Sequence, residues 1–295
     1  MSSDPSTGAE TGAQVIRQVY PRLGIVPGLI LAPGWSQIPE VGLALAAKAA
    51  KINGVYSAMA LLDLDTAKAK KYTDTKSVKE ESGYTSPFCY PLWPCDRVGE
   101  YILAKSAVAG AMIQYMASDN EDVPNQSPSN HLLGVGGQCL EDGTEVYLDQ
   151  DQANTVNGYG VTTAINQNGY RLWGNYTGAY PASSDAKDIW FAVRRMFSWQ
   201  GNNFIQTYFD EVDDPMNHVL VQSVVDSENI RCSAYAPKYW AGASIEYKSD
   251  DNPKTAILAG TMKFRQHIAP YTPAQEIVDI IDYDTDTLAA AVGGN

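Results

Sequence analysis

Apolar positions along this chain follow two different periods, and the switches between them mark its elements. Gly24 to Gly34 is a nearly continuous apolar run punctuated by Pro27 and Pro33, the pattern of a strand buried on both faces. Val41, Leu45, Ala49 and Ile52 then recur at helical spacing. Ser36 is the expected cap of that helix, Pro39 and Glu40 fill its first turn, and Asn53-Gly54 ends it. Val55 to Leu64 is a second apolar run, so this stretch predicts a βαβ unit with a right-handed crossover. Thr66 to Glu81 is charged and reads as a frayed helix or loop, and Thr85 to Pro94 as a proline-broken strand. Ile102, Ala109, Ile113 and Met116 give one buried face to a helix over Val98 to Met116. A polar loop over Asp119 to Asn130 precedes a short strand at Gly143 to Leu148 and a short helix at Asp149 to Asn157.

The next pattern is a hairpin. Gly160 to Ile165 and the run from Tyr170 to Thr177 flank Asn168-Gly169, a tight-turn pair. Alternation puts Tyr170, Leu172 and Tyr176 on one face and Arg171, Trp173, Asn175 and Thr177 on the other. Helical spacing returns over Asp188 to Tyr208, with Val193, Phe197, Phe204 and Tyr208 on a stripe weakened at Gly201. Asp214 and Pro215 start a further helix with Met216, Leu220 and Val224 facing inward. Ser244 to Tyr247, Thr261 to Ile268 and Ile277 to Tyr283 read as strands, the last isolated behind Pro270 and Pro273. Met1 to Gly12 lacks apolar residues and is expected to be disordered. Val15 to Tyr20 is expected to form a short helix stopped by Pro21. The fold class is thus an α/β body, a βαβ unit with a mixed sheet, followed by an α+β C-terminal domain.

Composition removes several classes of function. The 295 residues carry a formal net charge of −13, which disfavours a phosphate backbone as partner, so no nucleic acid is expected. No run approaches the length of a membrane span, so no membrane insertion is expected, and Met1 to Thr11 has no secretion-signal pattern. Cys89, Cys95, Cys139 and Cys232 are too few and scattered for a disulfide framework and suit free thiols in a reducing compartment.

Residue chemistry offers little more. His131, His218 and His267 lack metal-ligand spacing, and Cys89 with Cys95 has no second pair. Gly134-Val-Gly-Gly137 lacks the Lys-Ser/Thr of a phosphate loop, and Asp149-x-Asp151 lacks the later ligands of a calcium loop. Asp63 and Asp65 stand at the carboxyl end of a predicted parallel strand, where α/β enzymes place catalytic carboxylates, though helix capping after the strand explains an Asp there equally well. Trp173 and Arg171 share a strand face that could stack a sugar, or could pack at a protein contact. The sequence therefore assigns no catalytic, cofactor-binding or metal-binding residue.

A series of local sequences is more informative. Gly24-Ile-Val-Pro-Gly-Leu-Ile-Leu-Ala-Pro-Gly-Trp-Ser36 is followed by Ala46 to Gly54 and Ala60-Leu-Leu-Asp-Leu-Asp65. Ser127-Pro-Ser-Asn130, Gly169 to Thr177, Val193-Arg-Arg195 and Ile268-Ala-Pro-Tyr-Thr-Pro-Ala274 come after them in order. Together, over Val19 to Tyr283, the chain resembles contractile phage tail sheath proteins. The resemblance implies a non-enzymatic structural subunit without cofactor, which stacks with copies of itself in helical rings around a tail tube. Contraction of that sheath would drive the tube through a host cell envelope during genome ejection. The implied partners are other sheath subunits, the tail tube protein, and the baseplate and tail terminator proteins. The implied location is the virion tail, assembled in the bacterial host cytoplasm.

The resemblance also gives a division of the chain: a leader over 1–18, a sheath core domain over 19–168, and a C-terminal domain over 169–295 with a strand arm at about 274–290. The arm is an exchangeable β-strand, Ile277, Val278, Asp279, Ile280, Ile281, Asp282 and Tyr283, which would add to the sheet of a neighbouring subunit. Arg194 and Arg195 are candidates for facing the tube. Sheath proteins usually carry a substantial region ahead of the Pro-Gly-rich strand, including an N-terminal arm; only the short polar leader stands there in this sequence, so the strand-exchange expectation concerns the C-terminal arm.

Overall fold

The computed structural model describes residue 6 and residues 10–293. The 3-10 helix Gly12–Gln18 takes in the end of the leader and most of the short helix expected over Val15 to Tyr20, and it continues into α1 (Val19–Leu23). Ala13, Ile16 and Tyr20 pack against the core, which supplies the burial that ordering requires. Pro21 does not stop this helix. It lies in the first turn of α1, where a missing N–H costs nothing, and the helix ends instead at Gly24 with φ of 67°.

The two apolar runs form the βαβ unit. Strand β1 (Leu29–Leu31), helix α2 (Pro39–Ala50) and strand β2 (Met59–Asp63) follow in order, and β1 and β2 pair in parallel with Leu29 opposite Met59. Every residue of β2 is buried, as its unbroken apolar sequence requires. Helix α3 (Thr75–Ser82) is a regular helix within the charged stretch, and β3 (Cys89–Leu92) joins β2 in parallel to complete a three-stranded sheet in the order β1-β2-β3. One face of this sheet packs with α2 in a cluster around Leu45, Ala49, Ala60 and Leu62. The other packs Met59, Leu61, Tyr90 and Leu92 against Ala109 and Ile113.

The expected helix over Val98 to Met116 starts later. Its N-terminal part is taken by β4 (Cys95–Val98) and β5 (Tyr101–Leu103), and α4 runs over Lys105–Asp119. Strand β6 (Gly137–Cys139) completes a second, antiparallel sheet in the order β5-β4-β6. The mixed sheet expected of the body is thus two small sheets, one parallel and one antiparallel. Gly143 to Leu148 forms no strand; Glu145 makes a single bridge with Cys139. Helix α5 (Gln150–Gly158) is capped as expected by Asp149, whose side chain accepts from the N–H of Gln152.

The hairpin is β7 (Thr163–Asn166) paired antiparallel with β8 (Tyr170–Trp173). Tyr170 and Leu172 are buried and Arg171 and Trp173 half-buried, the alternation the sequence predicts. The strand is shorter than expected, because Gly174 adopts φ of 153° with the Thr162 backbone too close for any side chain there. Leu172, and Phe191 beyond it, lie in the same buried cluster as Met59 and Tyr90, on the far side of the boundary drawn at 168/169.

Helix α6 (Ala186–Ile189) precedes α7 (Phe191–Thr207), which Gly201 does not interrupt. Helix α8 (His218–Tyr235) is capped by Asn217 rather than Asp214, its side chain accepting from the N–H of Leu220. Strands β9 (Trp240–Glu246) and β10 (Arg265–Pro270), with α9 (Lys254–Leu258) between them, form a two-stranded antiparallel sheet. Met196 of α7 packs with Cys232, Tyr239 and Trp240 in a third cluster, so α7 touches the body at Phe191 and the C-terminal unit one and a half turns later. The chain ends with α10 (Thr285–Ala291), which buries no residue.

Candidate interaction surface

Residues 271–284, between β10 and α10, belong to no helix or strand, so Ile277 to Tyr283 does not pair with a sheet of its own chain. Five large side chains of this segment project into solvent: Ile277 is 89% exposed, Ile281 87%, Ile280 79%, Tyr283 76% and Val278 69%. Contiguous apolar exposure of this kind marks a surface that another molecule covers. Two bonds hold the segment to the body. The Tyr271 hydroxyl donates to the Pro237 carbonyl at 3.0 Å, and the Tyr176 hydroxyl donates to Gln275 Oε1 at 2.7 Å. Tyr176 is itself stacked between Tyr180 and Trp190, with ring centroids 3.8 and 4.9 Å away. In the two-stranded β9–β10 sheet the Asn229 side chain occupies the outer edge of β9 at Ile245, and the outer edge of β10 has no strand partner among the described residues. An apolar extended segment and an open sheet edge therefore lie on the same unit.

The carboxylates singled out for catalysis are structural. Asp63 is 7% exposed at the end of β2. It accepts from Ser36 Oγ at 2.9 Å, from the Ser106 N–H at 2.8 Å and from Ser106 Oγ at 2.5 Å. Burial raises its pKa, and the donors from Ser106 and Ser36 and the charge of Lys105 offset part of that rise. Ser36, expected to cap α2, also accepts from the Asp63 N–H at 3.0 Å and is fully buried; Ile38 stands at the cap position instead. The Tyr84 hydroxyl donates to the Ser36 carbonyl, crossing α2 at Gly42, where a side chain would collide with its ring. Asp65 is a turn residue whose carboxylate accepts from the Ala67 N–H at 2.9 Å. With its oxygens occupied and solvent excluded, Asp63 clasps the β1–α2 loop to the start of α4 and is not available as a base.

A second buried ionic contact lies beside it. Lys105 and Asp96 form an ion pair with both side chains fully buried, tying β4 to α4. Burial pushes the Asp96 carboxyl up, and the adjacent ammonium draws it back down. Lys79 is held by the carbonyls of Tyr159 and Tyr180 at 2.9 and 2.5 Å, and burial lowers its pKa to about 8.

The candidate sugar platform is also engaged internally. Arg171 donates to the carbonyls of Gln167 and Asn130 at 3.1 and 2.8 Å, and Trp173 donates to Asn154 at 2.8 Å. The two arginines expected to face the tube lie largely inside the subunit. Arg194 pairs with Asp188 at 3.2 Å beneath the rings of Phe88 and Phe197, and Arg195 is 7% exposed over the ring of Phe191. Paired arginines read as a surface patch in sequence, but the flanking Phe191, Met196 and Phe197 draw this stretch inward. The three histidines lie apart, and no group of metal-ligating side chains gathers among the described residues. All four cysteines are free, and no described helix is long and apolar enough to cross a membrane.

No protein-family model matches the chain. It is similar to the major tail sheath protein of Serratia phage KSP20, 27% identical over 197 residues, which is 64% of this chain and 48% of that protein. It is also similar to a putative prophage major tail sheath protein of Pseudomonas aeruginosa strain UCBPP-PA14, 30% identical over 199 residues, 65% of this chain and 47% of that one. The chain thus spans about half the length of these two relatives. In fold it is similar to the contracted PVC sheath complex of an extracellular contractile injection system, with a TM-score of 0.72 over 92% of this chain and 75% of the other, at 17% identity.

Proposed function

We infer, from a chain that belongs with the contractile tail sheath proteins in sequence and in fold, that it is a structural subunit which polymerises in helical rings around a tail tube and contracts to drive the tube through a cell envelope. The observation that carries this reading is the exposed apolar segment Ile277 to Tyr283 beside an open two-stranded sheet. Each subunit would offer one strand and one receiving edge, so copies join head to tail and the assembly propagates without closing on a dimer. Main-chain pairing at β9–β10 would give the linkage its strength and the alternating side chains its register. Copies of the chain and a baseplate component are the partners this requires; a tube protein and a tail terminator complete the set. The location is the virion tail, built in the bacterial cytoplasm.

The arm-bearing unit is best drawn from within α7, beyond Phe191, because Leu172 and Phe191 are buried with the body. The role is mechanical rather than catalytic, since Asp63 is consumed in holding the body together.

Electron microscopy of the complete protein co-expressed with the tube protein of the same particle tests the reading. Striated tubes in extended or contracted form are expected. Dispersed monomers beside bare tubes would overturn it.

A further inference from the structure

A cavity of about 340 Å³ lies where the N-terminal ends of β1 and β2, the end of α4 and one face of α7 meet. Arg195, Ser198 and Asn202 line it from α7, one turn apart in sequence, with Gly28 and Met59 opposite. Asn202 is fully committed, exchanging hydrogen bonds of 2.9 and 2.7 Å with the backbone of Ser57, and so fixes α7 against the body. The other two are not. Ser198 Oγ is buried without a partner. Arg195 makes no hydrogen bond or ion pair among the described residues, although only 7% of it is exposed. The Phe191 ring, its centroid 5.6 Å from the guanidinium carbon, covers one face of the group. Asp122, an exposed carboxylate on the cavity wall, does not pair with it.

Arg195 thus presents an unpaired cation to the cavity, and a cation held mostly out of bulk water without a paired counter-charge is costly. Burial pulls the Arg195 pKa down to about 10, so the group still carries its charge at neutral pH. The guanidinium edge is a rigid fork whose spacing matches two oxygens on one carbon.

We propose that this cavity is a carboxylate-binding site, in which Arg195 grips both oxygens and the Ser198 hydroxyl donates to one of them. The carboxylate is either a small dissolved anion or an Asp or Glu side chain of another copy. With 34 acidic against 21 basic residues, other copies supply such groups in excess. The site stands on the cavity alone; only the second source rests on the sheath reading.

Thermal unfolding of the complete protein in malonate against chloride at equal ionic strength is the test. The wild type should gain about 2–4 °C at roughly ten times Kd and go on rising with the logarithm of malonate concentration. Ser198→Ala should reduce the gain, Arg195→Lys should reduce it further by losing the fork, and Arg195→Met should abolish it. Assembly separates the sources. If another copy supplies the carboxylate, saturating malonate lowers tube yield several-fold and Arg195→Met lowers it without malonate; with a dissolved anion, yield is unchanged while the thermal gain remains. A wild type indifferent to malonate, or equal gains in wild type and Arg195→Met, overturns the site. So does a double-mutant cycle in which Asp122→Asn cancels the effect of Arg195→Met, since Asp122 would then be the counter-charge.

Discussion

Removal of residues 274–295 separates folding from assembly in one experiment. The deletion takes away five large side chains, each between 69% and 89% exposed, and helix α10, which buries nothing. None of the described residues removed belongs to a buried cluster. Among the described residues, the side-chain bond lost to the body is Tyr176 to Gln275, at an exposed site. Such a bond contributes about 0.5–1.5 kcal/mol at most, so Tm should fall by no more than a few degrees. Assembly should respond quite differently. Burial of the four aliphatic side chains of the arm against a neighbour would yield roughly 1.5–3 kcal/mol each, or about 6–12 kcal/mol before the cost of ordering the segment. Losing that contribution should abolish polymerisation at any practical concentration. Denaturant melts followed by circular dichroism give the first quantity, and sedimentation with negative-stain microscopy the second. A truncated chain that unfolds, or loses more than about 3 kcal/mol, would show that the arm belongs to its own subunit. A truncated chain that still forms tubes would show that the linkage lies elsewhere.

Three further outcomes follow from the buried groups. Lys105→Met leaves Asp96 charged and unpaired in the core and should cost about 3–5 kcal/mol in urea unfolding, whereas Lys105→Met with Asp96→Leu should recover most of that loss. Leu172→Ala empties part of the cluster shared by the hairpin and the parallel sheet and should cost about 2–5 kcal/mol by the same assay; a loss under about 1 kcal/mol would mean the hairpin is not part of the body. Burial pushes the Cys89 thiol up to about 12 from an ordinary 9.0, so between those values the unfolded chain releases a proton that the folded chain keeps. Stability should therefore fall as pH rises, and between pH 8 and 10 the wild type should lose about 1.4 kcal/mol more than Cys89→Ala. Equal losses in the two proteins would refute that burial effect.

The βαβ unit was legible because its signals are local: apolar runs long enough to be strands on either side of a helical stripe. The hairpin was legible for the same reason, through Asn168-Gly169. Ser36 misled because a serine ahead of a helix looks like a cap, while its true partner, Asp63, lies 27 residues away. Strands β4 to β6 escaped notice because Asp96, Arg97 and Gln138 give them no apolar alternation, and pairing across the loop is what defines them. Asp96 and Gln138 are buried all the same, compensated by Lys105 and by the Ala164 backbone, which no local pattern reveals. The arm carried the opposite signal. Its apolar sequence announced a strand, and only the fold could tell that no edge within the chain receives it.

Helix α7 gives the molecule a particular response to load. Its residues Phe191 and Met196 are locked into different clusters, and Asn202 is bolted to Ser57 between them and the helix end. A pull on the C-terminal segment would first reach the Tyr271–Pro237 and Tyr176–Gln275 bonds. Those are exposed and weak, and would give way early. Tension would then pass through β10 and the third cluster into α7, and from there into the parallel sheet. In a row of subunits linked as proposed, residues 271–276 would take up the slack, and the bodies would turn about those short hinges.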